Sequence, residues 1–597
     1  MNLLVRPVRL LVAALTLGAA ALFAQKPAAA PAAAPAPKLA VVIAVDGLSM
    51  PRLLAWRPWW VAGLKRLLDE GQVEAAARYR HLNTETGPGH ASLGTGAPPR
   101  VHGIVINSWY EERPGKGLVN VYCTDQPDPL APPELPRKIA GPANLRVPTL
   151  GDRLVAARPG SRVVAISGKD RAAIFLAGKD PRHAAYWYDG ARGTFTTSAA
   201  YDTKSGAGAT VAALVERFNR DYGGGALPGR LGLLWKRWDA PPPASPRPLP
   251  APVASALLKR FQVGAVGLGW DKDLSKFVAW SRSDPSGYFA GIYRSPFLDD
   301  LTADLALTAL ADPGLALGRG SAPDLLAVSF SAHDPVAHDY GDESEESLDA
   351  LRRLDVQIGR LLDALSRDFA PGSVLVAFSA DHGFAPIPEA ARKLDRNAPG
   401  GRLVGSRDFA DNVVDKLNRM IDDELCLDRT AQPLQAIEGW NLFYRRPAFP
   451  IKTTAGPCGP AGSPVMPADV DRVIPKLVKL RYDEEVADVL VVRQRASWRE
   501  GSPALEFVKN DFDEARSGDV LLVPRPGVLT ISDPGRGSMH GTHYDTDTHV
   551  PLVFWGGPAK AGTSAAPATP YDLAPTVGAW LGVTVPDATG RAIPLGK

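Results

Sequence analysis

Five short stretches of the chain are rich in apolar and β-branched residues without alternating: 40–45 (AVVIAV), 162–166 (RVVAI), 324–330 (DLLAVSF), 373–378 (SVLVAF) and 550–555 (VPLVFW). That pattern suits strands covered on both faces, as in a parallel sheet with helices packed on either side. Helical segments lie between them. The clearest runs from about Ser344 to Ser366, where Leu348, Leu351, Leu354, Ile358, Leu361 and Leu365 recur at helical spacing and form a core stripe. The pattern predicts an α/β fold with a central, mostly parallel sheet flanked by helices.

Two long stretches interrupt it. Residues 180–320 include Gly223-Gly224-Gly225 and a Pro-rich segment from Pro241 to Pro252, and residues 385–530 are polar, Pro-rich and irregular. Both read as insertions that cap the sheet rather than as separate domains. At the N-terminus, Arg6 and Arg9 precede an apolar run from Leu10 to Phe23, with Ala24-Gln25 as a cleavage point. This predicts a signal peptide over 1–24, then an Ala/Pro linker over 25–38, with the catalytic domain occupying 39–597. The apolar run is too short for a comfortable membrane span, and nothing elsewhere approaches that length. A retained N-terminal anchor is the alternative to export into a periplasm or the exterior.

Composition narrows the picture further. A net charge of +3 over 597 residues, with no basic run, gives no nucleic-acid track. Only three cysteines occur, and Cys426 with Cys458 is the closer pair in sequence; either they bridge in an oxidising compartment or all three are free. Three isolated cysteines make no structural zinc site.

The chemistry gathers where strands end. Strand 40–45 runs into Asp46, and about 40 residues on, Thr86 stands in Thr84-Glu85-Thr86-Gly87-Pro88-Gly89-His90, a turn that can open a helix. A carboxylate at a strand's C-terminal end is where an open α/β sheet places its chemistry, and a helix N-terminus beside it suits an anion. After strand 324–330, Asp334 and His338 are four apart, so one helical turn aims both at one metal. Asp381-His382-Gly383 follows strand 373–378, and His540-Gly541 precedes 550–555. Each alone reads better as a turn or a cap. Together, at successive strand ends, they supply oxygen and nitrogen ligands for two metals.

This set resembles the alkaline phosphatase superfamily from about residue 40 to the end, including Asp572-Leu-Ala-Pro-Thr576 and Gly590-Arg591. The resemblance implies two zinc ions per subunit, about 4 Å apart as in two-metal phosphoryl-transfer sites. Asp334, His338 and His540 would hold one; Asp46, Thr86, Asp381 and His382 would hold the other. Val101-His102-Gly103-Ile104-Val105-Ile106-Asn107 and Ser167-Gly168-Lys169-Asp170-Arg171 are similar to its PafA-like monoesterase branch, which implies that Asn107, Lys169 and Arg171 contact the transferred phosphoryl group. The charge argument agrees, since a monoester dianion needs donors where a diester carries a second ester group. The expectation is an exported alkaline phosphatase acting on small-molecule phosphate monoesters, with Thr86 as nucleophile and a phosphothreonine intermediate. A phosphodiesterase or nucleotide pyrophosphatase of the same superfamily is the alternative, and an inactive exported zinc-binding protein a remote one. A sulfatase is rejected: Cys458-Gly-Pro-Ala-Gly462 lacks the arginine and lies far from the first strand. Lys169 also disfavours a third-site Mg²⁺.

Other candidates weigh less. His90 reads equally as a group behind the metal ligands or as packing, and His333 is expected to point away from Asp334. His543 and His549 flank His540 and make it the least secure ligand, with His549 expected to hydrogen-bond into the core and Asp545 and Asp547 to serve that turn. The aromatic residues of Val105 to Tyr110 read as core. The physiological ester and the oligomeric state are not legible.

Overall fold

Leu39–Val45 (β1) is buried at all seven positions, and its two neighbours are equally so. It pairs in parallel with Asp324–Phe330 and Val374–Ala380, and the register sets Val45 opposite both Phe330 and Ala380. The three central strands therefore end at one level. Around them lie Gln72–Glu74 (β2), Val163–Ser167 (β3), Ala184–Asp189 (β4), Thr194–Thr196 (β5), then Asp324–Phe330 (β6), Val374–Ala380 (β7), Leu552–Gly556 (β8) and Gly562–Ser564 (β9). The sheet order is β9-β2-β8-β7-β1-β6-β3-β4-β5. Five consecutive strands, β7-β1-β6-β3-β4, are parallel, β8 runs antiparallel to β7 and to β2, and β5 runs antiparallel to β4. This is the expected α/β architecture. Alternate residues of β1 feed separate apolar layers on the two faces, Val41 and Ile43 on one, Val42 and Ala44 on the other.

The computed structural model describes residues 35–222 and 286–596, apart from 114, 133–134, 389–390, 393–402, 406–411, 459, 499–502 and 532–536; within 223–285 it describes 234–235, 238 and 272–273. The expected signal segment, the linker up to residue 34, the glycine turn at 223–225 and the Pro-rich segment 241–252 lie outside the described residues. Among those described, no helix is long and apolar enough to cross a membrane.

The helices that matter for the site are Thr86–Thr95 (α1), Asp170–Ala177 (α2), Ser286–Tyr293 (α3), His333–Tyr340 (α4), Glu345–Asp368 (α5), Asn412–Leu425 (α6) and Pro467–Tyr482 (α7). The stripe expected over 344–366 is α5: Ser344 caps it by accepting the Ser347 N–H, and Leu348, Leu351, Leu354, Ile358, Leu361 and Leu365 are all buried.

The second insertion has a core of its own. Leu434–Glu438, Asn441–Tyr444, Val520–Pro524 and Val486–Val491 form an antiparallel sheet in that order. Val413, Leu417 and Ile421 of α6 and Val470, Ile474 and Leu477 of α7 pack on it. Cys426, just after α6, is disulfide-bonded to Cys458, while Cys123 is free and buried. From Ala36 onwards the chain forms one compact unit.

Candidate active site

The aligned strand ends deliver the site. Asp46 follows β1 directly, with its N–H donated to the Phe330 carbonyl (2.9 Å), and Asp381 follows β7. Lys169 follows β3 by two residues, and α4, opening three residues beyond β6, carries Asp334 and His338. Thr86 opens α1 and so sits at the positive end of a helix dipole, where Pro88 carries no N–H and the Gly87 and Gly89 N–H groups are already engaged by Asn107 and Glu85. All ten residues of α1 are buried. Gly89 allows the helix to press against the end of β7, since a Cβ there would collide with the Asp381 carbonyl.

Thr86 Oγ1 accepts from Lys169 Nζ (3.3 Å) and from Arg171 Nη2 (3.2 Å). Lys169 Nζ also meets Asp334 Oδ2 at 2.6 Å and Asp46 Oδ2 at 2.7 Å. Burial opposes the charge on Lys169, but Asp334 and Asp46 outweigh it and raise its pKa above the ordinary range. Burial likewise opposes ionisation of Asp334, yet Lys169 and His338 hold its carboxyl well below the usual carboxylate range. Asp381 is lowered too: burial works against ionisation, and His382 and His90 overcome it.

Asn107 is set by the nucleophile's own loop. The Gly87 N–H donates to Asn107 Oδ1 (2.8 Å), and the Asn107 N–H donates to Glu85 Oε2 (2.9 Å). With its oxygen taken by the helix N-terminus, the amide presents its NH₂ as donor.

Ligand-type atoms of Asp334, His338 and His540 lie within 4.8 Å of one another, as do those of Asp46, Asp334 and His382. Asp334 thus stands in both groups. Asp381 borders the second, with Oδ2 3.5 Å from His382 Nε2. The imidazoles share a polarity. Nδ1 of His338, His540 and His382 lies 3.0, 2.8 and 2.9 Å from the carbonyls of Ser538, Thr84 and Gly383. A carbonyl only accepts, so each Nδ1 carries the proton, and in the neutral ring each Nε2 is a lone pair. Those lone pairs face carboxylates: His338 and His540 stand 3.2 and 3.4 Å from Asp334 Oδ1, and His382 stands 3.5 Å from Asp46 Oδ1. Lone pair against carboxylate is repulsive unless a cation lies between them. Asp46 Oδ1 and His382 Nε2 are buried with no hydrogen-bond partner among the described residues. The donor set fits divalent metals.

Three further histidines, His90, His333 and His549, are held by hydrogen bonds outside the two ligand groups. His90 lies with Nδ1 2.9 Å from the Thr86 carbonyl and 3.2 Å from Asp381 Oδ2, and Nε2 2.8 Å from Ser329 Oγ, which places it directly behind a site carboxylate. His333 turns to the Gly47 carbonyl (2.9 Å) and His549 to the Ala75 carbonyl (2.8 Å). Asp547 accepts from Thr542 within its turn, and Asp545 pairs with Arg78. Trp109 is buried in the core, as expected.

A brace around Arg171 carries no motif. Tyr122 OH donates to Asp170 Oδ1 (2.9 Å) and accepts from Arg171 Nη1 (3.1 Å), and Thr124 Oγ1 donates to Asp170 Oδ2 (3.1 Å). Asp170 lies inside the Lys-Asp-Arg run and was open to notice; Tyr122, far upstream, left no signal.

This constellation is that of a metal-dependent phosphoryl-transfer enzyme, and the chain belongs to the type I phosphodiesterase / nucleotide pyrophosphatase family, whose model matches residues 40–545. Within the alkaline phosphatase superfamily it falls in the PafA-like branch. It is 30% identical to alkaline phosphatase PhoK of Sphingomonas sp over 94% of this chain and 91% of that protein. The crystal structure of wild-type alkaline phosphatase PafA superposes with a TM-score of 0.73 at 25% identity, covering 94% of this chain and 99% of that one. A second PafA structure, matching equally well, is of a variant altered at a threonine, an asparagine, a lysine and an arginine. Their spacing along PafA equals that of Thr86, Asn107, Lys169 and Arg171 here.

Proposed function

We propose that this protein is an exported, two-zinc alkaline phosphatase that hydrolyses phosphate monoesters. One observation carries the reading: Thr86 Oγ1 lies between the Lys169 and Arg171 cations, beside two groups of ligand atoms whose imidazole lone pairs face carboxylates. Asp334, His338 and His540 would hold one zinc and Asp46, Thr86, Asp381 and His382 the other. The metals would supply Lewis acidity that lowers the pKa of the Thr86 hydroxyl and neutralises charge on the leaving oxygen.

The remaining steps belong to the chain's own residues. Thr86 Oγ attacks phosphorus in line, displacing the alcohol and forming a phosphothreonine. Lys169, Arg171 and the Asn107 amide bind the non-bridging oxygens, and the dipole of α1 favours negative charge at its N-terminus. Water then cleaves the Thr86–phosphate bond, releasing inorganic phosphate and restoring the hydroxyl. Two cations beside the nucleophile suit a dianion better than a diester monoanion. The likeness in spacing to the four altered PafA positions supports the same assignment.

Export through a signal peptide over 1–24 and an Ala/Pro linker over 25–38, with residues 39–597 as the catalytic domain, is part of the proposal. The Cys426–Cys458 disulfide supports an oxidising compartment such as a periplasm. The test is metal analysis of purified protein together with turnover of an aryl phosphate and a bis-aryl phosphate. Two zinc ions per chain and a monoester rate at least about tenfold higher are expected. Faster turnover of the diester would overturn the monoesterase reading in favour of a phosphodiesterase.

A further inference from the structure

We propose that Tyr122 is a positioning residue of this site: it holds the far end of the Arg171 guanidinium so that the Nε–Nη2 edge faces the transferred phosphoryl group. The inference rests on the monoesterase reading and adds a residue that acts only through Arg171.

The direction of each hydrogen bond is forced. A guanidinium only donates, so the Tyr122 oxygen accepts from Arg171 Nη1 at 3.1 Å. The one phenolic proton then goes to Asp170 Oδ1 at 2.9 Å. That carboxylate, at the start of α2, also accepts from the Arg171 N–H (2.7 Å, at Oδ1) and from Thr124 Oγ1 (3.1 Å, at Oδ2), so it is itself fixed. Asp170 Oδ1 stands 3.8 Å from Arg171 Nη1, beyond hydrogen-bonding distance. The Tyr122 hydroxyl is what joins the two.

Holding Nη1 decides where the rest of the group points. Nη2 lies 3.2 Å from Thr86 Oγ1, and Nε is buried with no hydrogen-bond partner among the described residues. Nε and Nη2 form the side-on edge of the fork, whose parallel donors grip two oxygens at once. Arg294 uses the same pair of nitrogens on Asp339. A phosphoryl group carried on Thr86 brings its non-bridging oxygens to that edge and gives the buried Nε an acceptor. The partner of Nη2 is the nucleophile, whose oxygen becomes bonded to phosphorus. The anchor that persists through the reaction is therefore the one at Nη1.

The segment that supplies Tyr122 serves a second phosphoryl donor as well. Gly117–Tyr122 pairs with Ser108–Arg113, setting Tyr122 opposite Ser108, and the Cys123 N–H donates to the Asn107 carbonyl at 2.8 Å. Three consecutive residues thus tie Asn107 to the Asp170–Arg171 pair, with Cys123 and Thr124 fully buried.

Tyr122→Phe keeps the ring and removes the hydroxyl. In the holoenzyme, aryl phosphate kcat/KM is expected to fall roughly tenfold, as for one hydrogen bond to a charged group, and inorganic phosphate to bind weaker by a similar factor. A double-mutant cycle separates positioning from general packing: with Arg171→Ala already present, the same substitution should cost nothing further. Equal losses in the two backgrounds, or no loss beside an intact Arg171, would overturn the proposal. Thr124→Val loosens Asp170 at its other oxygen and provides a second cycle should Tyr122→Phe fold poorly. Its loss should likewise vanish beside Arg171→Ala, and persistence at full size would count against Tyr122 in the same way. If the wild-type protein favoured the diester, the monoesterase reading would fall. The cycle measured on inorganic phosphate affinity by calorimetry would then still decide on Tyr122.

Discussion

Thr86 and Lys169 show how one contact separates chemistry from metal binding. Thr86 Oγ1 is held by Lys169 and Arg171, whereas Asp46 and His382 of the adjoining ligand group approach each other independently of it. Removing the hydroxyl therefore leaves the carboxylates and imidazoles of both groups in place. Thr86→Ala is expected to lose aryl phosphate turnover while retaining close to the wild-type zinc content. Both are read on one preparation, by metal analysis and a phosphate-release assay. Near-normal turnover by that variant would remove Thr86 as nucleophile. Loss of zinc along with turnover would instead show that the hydroxyl is a dominant ligand.

Helix α1 is positioned by what it lacks. Its glycines bring the N-terminal turn against the strand ends, and a Cβ at Gly89 would strike the carbonyl of Asp381, a backbone atom fixed by β7. Gly89→Ala must push the helix away from the site, and overpacking of this kind typically costs about 1–3 kcal/mol. Denaturant unfolding is expected to show that loss, with weakened zinc retention because Thr86 and Asp381 move apart; an unaffected variant would mean that the contact yields easily. This element also shows what was legible in the sequence. Asp46, Asp334 and Asp381 could be read because all-apolar strands announce their own ends, and His338 because a four-residue step fixes a helical face. The Tyr122 brace could not, since the Arg171 it supports lies 49 residues further along the chain. The inserted sheet escaped notice for another reason. Its first strand, Leu434–Glu438, has one fully buried residue among half-buried ones and so lacks the run of apolar positions that marked the central sheet, whereas Asn441–Tyr444 and Val520–Pro524 are buried throughout but are short runs set in a polar, Pro-rich stretch.

At the scale of the whole molecule, the site ties together segments that the sheet alone leaves apart. Its ligand candidates come from the ends of β1, β6 and β7 and from the His540 segment, which reaches the nucleophile loop through the Thr84 carbonyl. Asp46, Asp334 and Asp381 are buried carboxylates, and Lys169 is the cation bonded directly between two of them. Without metals this centre holds mutually repelling oxygens and imidazole lone pairs in a medium that screens poorly. Metal binding to the folded state relieves that repulsion and, because the ligands are scattered over nearly five hundred residues, discriminates strongly against the unfolded chain. At free zinc a thousandfold above the dissociation constant the linkage amounts to about 4 kcal/mol. Chelation should therefore lower the thermal midpoint, and stepwise return of zinc should restore it with a dependence on the logarithm of zinc concentration. His540→Ala, which breaks both the ligand group and the link to Thr84, should flatten that dependence. A midpoint indifferent to chelator in the wild-type protein would show that the strand ends are held by packing alone, with the carboxylates tolerated through Lys169.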